Sequence, residues 1–223
     1  MTSAAVAAAA PPAALVEQDG RPTLRGMLCV YGLFGFAVAG AALLAFDPSA
    51  RRWPIAVFLL SVVALMGTSG LYHRVRWSVT AYYRMRRLDH AMIFVLITGT
   101  ETPLFLVGLE GRGLDWMFYT ALAFAAAGFA ITMFWVSAPK WVRAVVYVVV
   151  GWSGVPAIPH IVEAMGIGPL ALLLGGGLLY SIGAVAYALK RPNPWPGHFG
   201  YHEVFHAFVV AAAATHFAVI AGL

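Results

Sequence analysis

The sequence predicts an all-α integral membrane protein, a bundle of seven transmembrane helices with its N-terminus in the cytoplasm and its C-terminus outside. Three observations predict it. Of 223 residues, 61% are hydrophobic and only 10% are charged, where a soluble domain carries about 25% charged residues. Seven apolar stretches have the roughly 20-residue length that crosses a bilayer as a helix. The lysines and arginines gather on one side of those stretches, as the positive-inside rule requires.

Residues 1–22 read as a disordered, Ala/Pro-rich cytoplasmic tail, and residues 23–223 as a single seven-helix domain. Ala4 to Ala10 followed by Pro11 and Pro12 is low-complexity. It lacks the basic start and strongly apolar run of a signal peptide. The spans run near 27–46, 54–73, 88–109, 116–136, 142–161, 168–189 and 202–222. Asp47-Pro48-Ser49 stops the first, and Pro54 starts the second. Gly111-Arg112-Gly113 divides the third from the fourth, and Ser137-Ala138-Pro139-Lys140 the fourth from the fifth. Pro156 and Pro159 fall in the last turns of the fifth and are expected to kink or break it. Lys190 to Pro196, with three prolines in seven residues, ends the sixth.

With the N-terminus inside, eleven lysines and arginines lie in inner segments and three, Arg51, Arg52 and Arg112, in outer loops. The net charge of +5 is therefore a topology signal that offers no binding surface for nucleic acid; the expected partners are membrane lipids. The single cysteine, Cys29, excludes an intrachain disulfide and reads as a small packing residue. Gly35, Gly40, Gly175 to Gly177 and Ala211 to Ala214 put small residues on the helices, where backbones can approach closely. No internal repeat is evident, which argues against an inverted-repeat transporter.

Ionisable groups inside spans point to function, because the bilayer interior penalises them. The last span opens His202-Glu203-Val204-Phe205-His206, and two histidines four apart share one helix face. Alone, that pair fits either a metal site or two imidazoles hydrogen-bonded at the membrane interface. The second span ends with Ser69 and His73, also four apart, and the third begins with Asp89. The arginine-derived topology brings all five residues to the cytoplasmic end of the bundle. Three histidines with one open position is the pattern of a catalytic zinc, whereas a structural zinc usually has four protein ligands. Asp89 could orient a metal-activated water and take its proton, or hold one histidine ring in its tautomer. Ser69 could steady an oxyanion, or bond a backbone carbonyl of its own helix.

In combination these residues resemble the hemolysin III branch of the family that includes the adiponectin and progestin receptors. The matching residues are Ser69-x3-His73, Asp89 sixteen positions on, and His202-x3-His206. Flanking segments match as well: Arg21-Pro22-x-Leu24-Arg25-Gly26, Gly99-Thr100-x-Thr102-Pro103, Gly151-Trp152, Gly176 to Gly183, and His216-Phe217. The likeness covers nearly all of residues 21–223. It implies a seven-helix bundle with a cytoplasmic N-terminus and Zn2+ held near that face by His73, His202 and His206, a water touching Asp89. The same set resembles that of alkaline ceramidases, which hydrolyse a lipid amide. Bacterial members carry a hemolysin name, and some act in membrane homeostasis.

Three readings follow. The first is a zinc-dependent hydrolase of lipid amides or esters, with Asp89 and Ser69 as its catalytic side chains. The second is a non-enzymatic membrane-homeostasis or receptor-like protein in which zinc staples helices. The third is a cytolytic pore or transporter, suggested chiefly by the hemolysin name of the family it resembles and by Glu101 within the third span. Glu101 departs from the uncharged residue bacterial relatives often carry. It lies ~18 Å of helix rise beyond Asp89, too far to be a ligand, and is expected to be a protonated or paired acid helped by backbone opened at Pro103. His90 is expected at the interface, His198 in water, His160 at the outer end of the fifth segment, and His216 in an interhelical hydrogen bond. Glu203 is expected to pair with a basic residue of an inner loop.

Overall fold

The computed structural model describes residues 20–46, 52–135 and 139–223. They form eight α-helices: α1 (Met27–Phe46), α2 (Arg52–Arg74), α3 (Val79–Pro103), α4 (Asp115–Phe134), α5 (Lys140–Gly151), α6 (Ile158–Met165), α7 (Ile167–Leu189) and α8 (Tyr201–Ile220). Seven spans long and apolar enough to cross a membrane result, because α3 continues through a π-helical turn at Leu104–Gly108, and α5 with α6 makes one interrupted span, Val145–Met165. The predicted break in the fifth span is there: α5 stops at Gly151, and a 3-10 turn at Val155–Ala157 precedes α6. Pro156 and Pro159 cannot donate the backbone hydrogen bonds that a continuous helix needs.

The third helix starts nine residues before the apolar window predicted at 88. Thr80 to Arg87 is too polar to register as a span, yet it is helical, and Ser78 caps it by accepting the Ala81 N–H at 3.4 Å. At the other end, Pro103 is followed by the π turn, in which the Leu109 N–H reaches the Leu104 carbonyl at 3.0 Å. Of the proposed tail, only Gly20 to Pro22 lie among the described residues. They continue into a segment that runs back over the bundle, where Thr23 and Leu24 donate N–H bonds to the carbonyls of Gly197 and His198.

Consecutive helices pack side by side, and α8 returns to α1, so the bundle closes on itself with α3 also touching α5. The largest apolar core lies between α1, α2, α3 and α8, built on Phe36, Phe58, Val62, Met66, Leu96 and Val209. A second core, with Phe105, Leu109, Met117, Phe118 and Ile161, fills the opposite end around the π turn, α4 and α6. Small residues act as predicted at Gly40, which lies against Leu59, and at Ala212 and Ala213, both fully buried. Gly35 and Gly175 face open space instead.

Candidate metal centre

The site is built from the start of α8 outward. Glu203 falls between the two histidines of this helix and points to the other side, where it is almost wholly buried. Its Oε2 accepts the Gly200 N–H at 2.8 Å, and its Oε1 pairs with Arg25 Nε at 2.5 Å. The first contact caps an N-terminus whose backbone donors would otherwise be unmatched. The second ties α8 to the segment before α1, so the basic partner of Glu203 comes from that segment and not from an inner loop. Asn193 Oδ1 adds a further tie by accepting the Tyr201 N–H at 2.9 Å.

That tie brings α1 and α2 against the histidines. Gly26, with φ of 78°, turns the chain into α1 so tightly that a Cβ there would stand 2.6 Å from the Cβ of His73. His73 occupies the last turn of α2, and its Nε2 lies 3.1 Å from Nε2 of His202. One ring nitrogen from each of His73, His202 and His206 falls within 4.8 Å of the others. All three residues are buried. His206 Nδ1 is 3.2 Å from the Cys29 sulfur, and its Nε2 has no hydrogen-bond partner among the described residues. Bonds of ~2.0–2.1 Å to a tetrahedral zinc put two ligand nitrogens about 3.3 Å apart. The cluster therefore fits a metal ion on its donor type, its spacing and the unmatched Nε2 of His206.

Asp89 is the first buried residue of α3, and its charge acts on both His73 and His206. Its Oδ2 lies 3.5 Å from Nδ1 of His90, a nitrogen that also meets the Arg86 carbonyl at 2.8 Å. A carbonyl only accepts, so that nitrogen carries its hydrogen toward Arg86. Ser69 sits beside the Cys29 thiol. Its hydroxyl is buried without a hydrogen-bond partner among the described residues, unlike Ser61, whose hydroxyl donates to the Phe58 carbonyl at 2.7 Å. The alternative in which Ser69 bonds a carbonyl of its own helix is thus not the arrangement found.

The family described as haemolysin-III related matches residues 19–217. The chain belongs to the haemolysin III family. It is 30% identical to the hemolysin-3 homolog of Bacillus subtilis (strain 168), over 72% of each chain. It is 33% identical to heptahelical transmembrane protein 5 of Arabidopsis thaliana over 74% of this chain and 49% of that one. It is 29% identical to the adiponectin receptor protein of Drosophila melanogaster over 72% of this chain and 40% of that one. The chain thus spans half or less of the plant and fly relatives. Membership in this family and seven apolar helices make it a multi-pass membrane protein, which in a bacterium lies in the plasma membrane.

The remaining candidates separate cleanly. His198 is exposed and stacks on Trp195, His160 lies partly exposed on α6, and His216 meets the Leu173 carbonyl of α7 at 3.1 Å, an interhelical bond as expected. Glu101 is buried, and its contact is the Ser153 hydroxyl at 3.2 Å, not backbone freed at Pro103. Sequence reasoning missed two contributors. Cys29, read as packing, touches the His206 ring. Arg25 holds Glu203; the sequence marked it only as a basic residue before the first span and as part of the segment Arg21 to Gly26.

Proposed function

We propose that this haemolysin III protein binds zinc through His73, His202 and His206 and hydrolyses lipid amides or esters, with the metal end of the bundle facing the cytoplasm. The observation that carries the proposal is the meeting of one ring nitrogen from each of three buried histidines within 4.8 Å, with Asp89 and Ser69 also buried. The orientation rests on the eleven-to-three distribution of lysine and arginine. When bound, zinc supplies Lewis acidity and a water acidic enough to ionise at about pH 7.

The protein's own groups divide the remaining work. Asp89 accepts a proton close to the histidines and holds it near the scissile bond. Ser69 Oγ–H donates to a carbonyl oxygen as negative charge develops there. Cys29 keeps the His206 ring turned so that Nε2 faces inward; such outer partners orient ligands and set their basicity.

A second reading is supported by the way the cluster joins α1, α2 and α8: zinc as a staple, with no lipid consumed. Purified protein in lipid vesicles, assayed for metal content and by lipid mass spectrometry, separates the two. The hydrolase reading expects about one zinc per chain, release of fatty acid, and loss of turnover with retained metal in Asp89→Asn. Turnover unchanged in Asp89→Asn sinks the mechanism, and retained metal with no lipid change favours the staple.

A further inference from the structure

Buried side-chain atoms without a hydrogen-bond partner among the described residues fall into groups with different needs. Ser69 and His206 belong to the metal centre, and Glu101, Tyr180 and His216 line one cavity deeper in the bundle. Nη1 of Arg21 belongs to neither group. A guanidinium is always charged and only donates, so its empty place calls for an acceptor. Leaving such a group buried and unmatched is costly.

Arg21 is held in place from several sides. It stands on the segment before α1, where the Thr23 and Leu24 N–H groups bond the carbonyls of Gly197 and His198 at 3.0 and 3.2 Å. Arg74, the last residue of α2, donates to the Thr23 carbonyl at 3.3 Å. Arg21 itself donates through Nη2 to the Tyr82 hydroxyl at 3.3 Å, and its guanidinium carbon lies 5.6 Å from the centroid of that ring. The Tyr82 hydroxyl is in turn 3.0 Å from that of Tyr72. One tyrosine hydrogen fills the bond between the two oxygens, and the other remains free to donate. Arg86 follows Tyr82 by four residues, one turn along the same face of α3, and its charge acts on Tyr72.

The nearby carboxylates are directed elsewhere. Glu203 is taken by Arg25, and Asp89, whose charge also acts on Tyr72, meets His90. The unmatched groups around Tyr82 are therefore donors beside two guanidinium charges. They lie next to the metal centre without sharing its ligands: the Tyr72 and His73 rings are 4.5 Å apart, centroid to centroid.

We propose that Arg21, Tyr82 and Arg86 form a binding site for a phosphate-type oxyanion, carried on a lipid head or free in solution. The planar fork of a guanidinium matches the paired oxygens of a phosphate, and the spare tyrosine O–H adds a third donor. An ammonium head offers only donors and is repelled. Leu71, Val79 and Tyr83 are exposed beside the site, with the Tyr83 ring 5.5 Å from that of Tyr82. These apolar neighbours favour a lipid as the carrier.

The test uses the full chain in phosphatidylcholine nanodiscs. Phosphatidic acid is titrated into the discs and pyrophosphate into the buffer, with binding read from the thermal unfolding midpoint and corrected with protein-free discs. Phosphatidic acid should bind about tenfold more tightly than phosphatidylcholine, and Arg21→Gln should remove that preference. Tyr82→Phe should weaken binding several-fold, whereas Arg84→Gln, an exposed arginine of the same helix, should change it by roughly twofold or less. Pyrophosphate binding with the same dependence on Arg21 would support the site and identify a soluble anion as its occupant. Binding of neither probe, or equal losses in Arg84→Gln and Arg21→Gln, overturns the proposal, the second because diffuse charge attraction would then suffice. Anion binding that survives Arg21→Gln but is lost on chelation belongs to the metal and overturns it too. Should Arg21→Gln not fold, the wild-type series and Tyr82→Phe, which loses one oxygen, still decide. Zinc content measured on the same samples should be unchanged by these substitutions, so failure here is distinct from failure of the metal site.

Discussion

The two buried polar clusters differ in what their atoms lack. Around His202 and His206, most neighbours are matched to each other: Glu203 to Arg25 and Gly200, Cys29 to His206 Nδ1. What is left over is a set of ring nitrogens facing one another, an arrangement that a cation completes. Around Glu101, the unmatched atoms are a carboxyl oxygen, a tyrosine hydroxyl and a ring nitrogen beside hydrocarbon. The helices themselves do not separate the two clusters, because α3 carries both Asp89 and Glu101 and α8 both His206 and His216. Burial of polar groups alone does not distinguish these cases, whereas the kind of partner missing does.

The largest expected effect tests the cation side of that contrast. Replacing His73, His202 or His206 with Ala should lower bound zinc from about one per chain to near zero, measured by elemental analysis. Chelating the wild type should lower its stability by about 3–4 kcal/mol if zinc was present at 100–1,000 times its dissociation constant. Glu101→Gln should leave both readings unchanged. Zinc retained in the histidine variants would dissolve the distinction between the clusters. Next comes Gly26→Ala. Its φ of 78° is strained for any residue with a Cβ, and that Cβ would meet His73 at 2.6 Å. A loss of about 2 kcal/mol is expected, together with weaker zinc binding. A stability loss with unaltered zinc affinity would mean that the turn does not position His73.

Much of this was legible in the sequence, for identifiable reasons. Spans are read from length and hydropathy, because a bilayer leaves helices few alternatives, and the proline break in the fifth came through for a steric reason. His73, His202 and His206 could be grouped because four-residue spacing fixes a helix face and charge distribution fixed which helix ends lie together. The start of α3 was missed because residues 79–87 are helical without being apolar. Cys29 and Arg25 were missed because their roles depend on how the segment before α1 folds back across Gly197 and His198, a long-range contact with no local periodicity. Pro103 offered a plausible local partner for Glu101, yet the side chain met Ser153 from another span.

Smaller effects sharpen the contrast further. Cys29→Ala should weaken zinc binding about tenfold, the lower end for loss of a group that orients a ligand, and Cys29→Ser, which also accepts a hydrogen bond, should recover most of it. A Co2+-substituted sample should show an altered visible spectrum in the Ala variant if the ring has turned. Gly176→Ala acts on the other cluster: a Cβ there would overlap the His216 ring. About 1 kcal/mol of destabilisation is expected from this overpacking, with zinc affinity untouched. Reduced zinc binding in Gly176→Ala would show that the two clusters are one coupled unit.

The smallest effect is expected outside both clusters. Arg112 donates to Glu163 at 2.8 Å, joining the turn before α4 to α6, but the two side chains are 30% and 67% exposed. Water already stabilises both charges there, and salt screens what attraction remains, so Glu163→Gln should change stability by no more than ~0.5 kcal/mol. The distance is as short as that of the Glu203–Gly200 bond, which caps a buried helix end. If thermal unfolding at low and high salt gave Glu163→Gln a loss as large as Glu203→Gln, distance would outweigh burial in this bundle. Burial should win, because Glu203→Gln weakens an ion pair that solvent cannot replace.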